Sequence, residues 1–181
     1  VTDMLEYYMQ NGMRLPDRDK TLSLMKEWYD HYRFSAKAEH EMFNPDMVLY
    51  FVRHLLESGA YPDNMIDQNV RIDYGKLRHL IVLDKRLNGN FGYLAEIIRT
   101  QGTSAAKVVE SFPVERLMKP SNFISLLFYL GLLTHTEDGD LHIPNRTVRK
   151  LMYSYLREGY EDVDVFSLDL WRFAGLMRQM A

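Results

Sequence analysis

The chain of 181 residues carries 22 Lys and Arg against 25 Asp and Glu, a formal net charge of −3, with 46% hydrophobic residues, 13% aromatic residues and no cysteine. These values exclude a disordered, collagen-like or disulfide-framed chain and a thiolate metal site, and they leave enough apolar residues for a proper core. The slight acidity argues against a domain that tracks phosphates globally, since such domains advertise a basic excess.

The first clear helical pattern covers residues 21–34, where Leu22, Met25, Trp28, Tyr29 and Tyr32 recur at helical spacing. Asn44-Pro45-Asp46 then forms a helix start: Asn caps free amides, Pro is preorganised for the first turn, and Asp favours the positive dipole end. That helix is predicted from Pro45 to Ser58, with Val48, Phe51, Val52, Leu55 and Leu56 inward and Gly59 ending it. After a polar connection, periodicity returns with Leu77, Leu80, Ile81 and Leu87 and stops at Asn88-Gly89. A further helix holds Leu94, Ile97 and Ile98, while Lys107 to Phe112 reads equally as a helix end or a short strand.

Residues Ser121 to Leu130 are apolar nearly all round, the mark of a buried helix, and Gly131 ends it. The segment 132–145 alternates polar and apolar residues about Asp138-Gly139, which predicts a β-hairpin with a two-residue type I′ turn. Arg146 to Arg157 is amphipathic: Val148, Leu151, Met152, Tyr155 and Leu156 on one face, Arg146, Arg149, Lys150, Tyr153 and Arg157 on the other. Glu158 to Asp164 reads as an acidic linker, and a last helix is expected from Ser167, with Phe166 and Trp171 as its hydrophobic staple. The fold class expected is mainly α: a helical bundle with a winged-helix-like subdomain containing one β-hairpin.

Catalytic motifs are missing from the sequence. A P-loop needs Gly-x-x-x-x-Gly-Lys-Ser/Thr, and the one Gly-Lys pair, Gly75-Lys76, is followed by Leu77. A nuclease of the PD-(D/E)XK kind needs an acidic residue two positions before a Lys, and no such pair occurs. With a two-residue turn, His135 would face His142 and Glu137 would face Asp140, a set able to hold zinc, although the alternation equally describes the solvated face of a wing, the reading we favour. The basic face Arg146, Arg149, Lys150, Tyr153 and Arg157 is the best candidate for nucleic-acid contact, against the alternative of an ordinary solvated face. The helix before the hairpin cannot read bases, because no Lys or Arg lies between Lys119 and Arg146.

Five strings in order, WYDHYRFS at 28–35, FNPDMVLYF at 43–51, DYGKLRHL at 73–80, SLLFYLGLLT at 125–134 and IPN at 143–145, resemble the AAA-ATPase-like family of bacterial proteins, as does the opening VTDMLEYYM. In that family a divergent P-loop ATPase core precedes a helical and winged-helix-like region, and a PD-(D/E)XK nuclease-like domain commonly ends the chain. The resemblance implies that ATP and Mg belong to a core preceding Val1 and the nuclease motifs to a domain following Ala181, so this chain itself would carry no catalytic residue and no cofactor. One departure is His31, where the family usually has Gly, which questions a tight turn there.

The expected organisation is therefore 1–76 as the end or lid of the ATPase-like domain, 77–158 as the winged-helix-like subdomain, and 159–181 as a linker and helix leading to the C-terminal domain. The function implied is non-catalytic coupling between the two absent domains, in the cytoplasm and with no membrane partner, since no stretch is apolar enough to span a bilayer. Tyr29, Tyr32, Asn44, Pro45 and Asp46 are the expected interdomain contacts. The alternatives are a nucleic-acid-binding winged-helix module and, from 11 Met and 12 Tyr, a protein-interaction or homo-oligomer surface.

Overall fold

The computed structural model describes residues 1–70, 80–83, 86–87, 89–103, 108–117 and 119–162. Helices α1 (Thr2–Gln10), α2 (Arg18–Tyr29) and α3 (Pro45–Ser58) come first. A two-stranded ribbon β1 (Val82–Leu83) and β2 (Arg86–Leu87), α4 (Gly89–Thr100), β3 (Gly102–Thr103), α5 (Pro120–Tyr129), β4 (Thr134–His135), β5 (Leu141–His142) and α6 (Arg146–Asp162) follow. The chain is mainly helical with a small antiparallel wing, ordered β3-β5-β4. Among the described residues no helix is long and apolar enough to cross a membrane.

Helix α3 forms where its caps dictate. Asn44 Oδ1 accepts from Met47 N at 3.1 Å, Pro45 occupies the first turn, and Gly59 closes the helix in the left-handed region. Met47, Val48, Phe51, Val52 and Leu55 are buried, whereas Leu56, expected inside, is 47% exposed. The α2 pattern overruns its helix. Asp17 caps it through Lys20 N at 2.9 Å, but the helix stops at Tyr29, and Asp30 is extended. Tyr32, at helical spacing from Trp28 and Tyr29, instead exchanges backbone hydrogen bonds with Met42 across an antiparallel bridge. The reversal occurs at His31, with φ of 73°. The tight turn that a His at position 31 put in question is therefore present, held in a conformation that costs an L-residue roughly 1–2 kcal/mol.

Two further expectations change, and one strand is new. Val82–Leu83 pairs antiparallel with Arg86–Leu87, so the apolar residues around Ile81 to Leu87 mark a hairpin and not the end of a helix. Short apolar runs carry either period, and Ile81 and Val82 are β-branched. Helix α6 continues through the residues read as a linker, to Asp162, because Tyr160 meets Phe91 of α4 edge-to-face at 4.8 Å. The third strand, Gly102–Thr103, was not read from the sequence; a Cβ on Gly102 would lie 2.5 Å from the Leu141 carbonyl oxygen, so only glycine admits this approach of β3 to β5. The helix expected from Ser167 lies outside the described residues.

The wing's turn sets its register. Gly139 N donates to Thr136 O at 3.2 Å, Thr136 N donates to Asp140 O at 2.8 Å, and Gly139 has φ of 87°. The turn Thr136–Gly139, whose fourth residue is the left-handed Gly139, gives a three-residue loop, Glu137–Gly139, one residue longer than the two-residue loop expected. Consequently His135 pairs with Leu141 and Thr134 with His142.

One apolar core runs through the chain, gathering Leu5, Trp28, Tyr29 and Phe51 with Phe91, Leu127, Leu133 and Met152. It therefore crosses the position near residue 76 where the organisation expected from sequence places a boundary.

Candidate functional site

The end of α2, the start of α6 and the wing are fastened by buried polar contacts. Thr147 Oγ1 donates to Trp28 O at 2.7 Å, and Asn145 Nδ2 donates to Asp30 O at 2.9 Å. Asn145 Oδ1 also accepts from Val148 N at 3.2 Å, which makes it the N-cap of α6. Thr134 Oγ1 accepts from Arg33 N and donates to Arg33 O at 2.9 Å, and His135 N also donates to Arg33 O. Burial pushes the Tyr32 hydroxyl's pKa upward, an effect partly offset by hydrogen bonds with the Asn145 and Asn44 side chains. Each of these groups would cost free energy if buried alone, so they hold the three elements in one geometry.

Above this seam lies the basic face of α6. The Trp28 ring, 6% exposed, carries the Arg146 guanidinium and the Lys150 ammonium, each 4.8 Å from its centroid. Arg146 is also paired with Glu27, and Arg157 with Glu161 at 3.4 Å. Among the described residues Arg149 and Lys150 have no carboxylate partner. Both border a cavity of about 490 Å³ that also touches Arg146 and its partner Glu27, and His31, Pro144, Asn145 and the half-exposed Tyr153. Arg157 lies outside it, on a smaller cavity of about 230 Å³ shared with Lys150 and Tyr153. The five basic-face residues are thus split: three cations and Tyr153 share one cavity, and Arg157 stands apart.

The expected interdomain residues separate too. Tyr29 is fully buried, with its hydroxyl donating to Met65 O at 2.8 Å and its ring against Phe51, and that burial drives its pKa well above the ordinary tyrosine range. Tyr32 is buried within the seam, and Asn44 is spent on capping α3. Pro45 and Asp46 are exposed.

The zinc set does not form. With the register found, His135 and His142 are on opposite faces of the ribbon, and Glu137 no longer opposes Asp140. His135 sits against the Phe128 ring, and its Nδ1 is 3.4 Å from Gly139 O. Among the described residues no group of three His, Asp or Glu side chains could hold a metal. The Gly75-Lys76 pair lies outside the described residues.

Sequence reasoning missed a charged cluster under the wing. His31 Nδ1 lies 2.7 Å from Glu41, and the guanidinium of Arg33, nine-tenths buried, is 3.4 Å from Glu137 and 4.0 Å from Glu41. The nearby His142 has its pKa lowered, first by burial, with Glu41 opposing. No local pattern could reveal it, because Arg33 and Glu137 are 104 residues apart.

The fold and its polar seam define a mainly helical domain with an attached three-stranded wing. No family model, curated protein or solved structure matches the chain.

Proposed function

We propose that this chain is a non-catalytic coupling region of an AAA-ATPase-like protein, transmitting the state of a nucleotide-binding core to a C-terminal effector in the cytoplasm. The observation that supports this most is the seam. The backbone of residues 28–33, which carries the first string of the family resemblance, is tied through Thr134, Asn145 and Thr147 to the wing and to α6. A displacement applied to α2 or α3 would therefore be delivered to α6 without slack, because buried hydrogen-bonded groups and a packed core resist gradual deformation. The exposed start of α3 at Pro45 and Asp46 offers the input side, and the far end of α6 the output side.

The test is made in the full-length protein with Asn145→Ala and Thr147→Val combined. The expected result is ATP hydrolysis that persists while the effector no longer responds to nucleotide. Unchanged coupling, with the seam shown to be loosened by hydrogen exchange, would refute the proposal.

A further inference from the structure

We propose that the cavity at the start of α6 binds a short run of single-stranded nucleic acid, with phosphates on Arg149 and Lys150 and one base stacked on Tyr153. This goes beyond the coupling role and does not depend on it. The charge distribution is the first argument. Of the four cations on the basic face, Arg146 is paired with Glu27 and Arg157 with Glu161, whereas Arg149 and Lys150 have no carboxylate among the described residues. Those two border the same cavity of about 490 Å³, beside the first turn of α6, where the helix dipole favours an anion.

The second argument is the aromatic group. Tyr153 is 51% exposed on the rim of that cavity, four residues beyond Arg149 and three beyond Lys150, hence on the same helix face about one turn away. A backbone phosphate and its base fit this pairing of cation and exposed ring, the arrangement by which single strands are held without reading sequence. The Trp28 ring holds the cationic heads of Lys150 and Arg146 in place before a ligand arrives, which lowers the ordering cost of binding.

Number and placement argue against a duplex. Double-stranded DNA is retained through many phosphate contacts, and only two unpaired cations stand here, flanked by Glu27 and Glu158 on a chain of net charge −3. The helix that precedes the hairpin, α5, buries Phe123, Ile124, Leu127 and Phe128 and cannot enter a groove.

The experiment measures fluorescence anisotropy of labelled oligo(dT) and oligo(U) octamers and of a blunt DNA duplex with the intact chain, across salt. Either single strand should bind more tightly than the duplex. Two phosphate contacts give a log–log salt slope near −1.4, an affinity loss of about sevenfold between 50 and 200 mM salt. Arg149→Glu should remove binding, and Tyr153→Ala should weaken it at least about fivefold, the lower end of what one base stack contributes. Both side chains are exposed, so both variants should keep the wild-type melting profile, and Arg99→Glu on α4 serves as a distant charge control that should leave binding intact. A preference between the two octamers assigns DNA or RNA as the source of the strand. Absence of binding at 50 mM salt, equal or tighter duplex binding, or an unchanged affinity in the folded Arg149→Glu variant would overturn the proposal.

Discussion

Replacing Asn145 by Ala tests the seam most sharply, because one side chain serves two elements. Its Oδ1 caps α6 at Val148 N, and its Nδ2 satisfies the carbonyl of Asp30, in a side chain only 4% exposed. Loss of an N-cap costs about 1 kcal/mol, and leaving a buried carbonyl without its donor costs about 1–3 kcal/mol more. The sum, roughly 2–4 kcal/mol, should shift the melting midpoint of a chain of this size by about 4–16 °C. Urea unfolding followed by circular dichroism gives the free energy directly. Asn145→Asp keeps the cap acceptor but sets a buried carboxylate against the Asp30 carbonyl in place of the donor, so it should destabilise at least as much as Asn145→Ala. A loss below about 0.5 kcal/mol for Asn145→Ala would refute the reasoning, since that is the range of a surface substitution.

Other perturbations probe separate parts of the account. Gly102→Ala should destabilise by about 1–3 kcal/mol, because the new methyl meets the Leu141 carbonyl at 2.5 Å and forces β3 away from β5; an unchanged urea midpoint would contradict the close approach. His31→Gly should exceed His31→Ala in stability by about 1 kcal/mol, both variants lacking the Glu41 partner so that the comparison isolates the left-handed backbone; equal stabilities would contradict the strain. His142 has a depressed pKa, so below its unfolded value of about 6.5 the unfolded chain takes up the proton first and stability falls as pH drops through the folded pKa. Chemical denaturation between pH 7.5 and 5 should show a smaller decline for His142→Gln than for the wild type, and identical profiles would count against that assignment.

Where local chemistry decides the outcome, the sequence was readable. Asn44-Pro45 and Gly59 bound α3 because caps act within one turn, and the apolar circumference of α5 marks its burial. Where distant residues decide, it was not. Helix α2 ends at Tyr29 because Tyr32 finds Met42, and β3 exists because Gly102 can approach β5. The wing shows how fine the margin is: a three-residue loop, Glu137–Gly139, in place of the two-residue Asp138-Gly139 changes the partner of His142 from His135 to Thr134 and removes the metal set. The basic face was legible as a stripe, but its division was not, since Glu27 reaches Arg146 from another helix, 119 residues away.

Rigid transmission through the seam is most directly measured by native-state hydrogen exchange on the intact chain, comparing amides of residues 28–33 with those at the start of α6 and in β4. The expected result is a shared opening free energy for Tyr32, His135 and Arg149, which Asn145→Ala lowers equally on both sides of the seam. Independent opening of the α2 end, with α6 and the wing still protected, would contradict the coupling account.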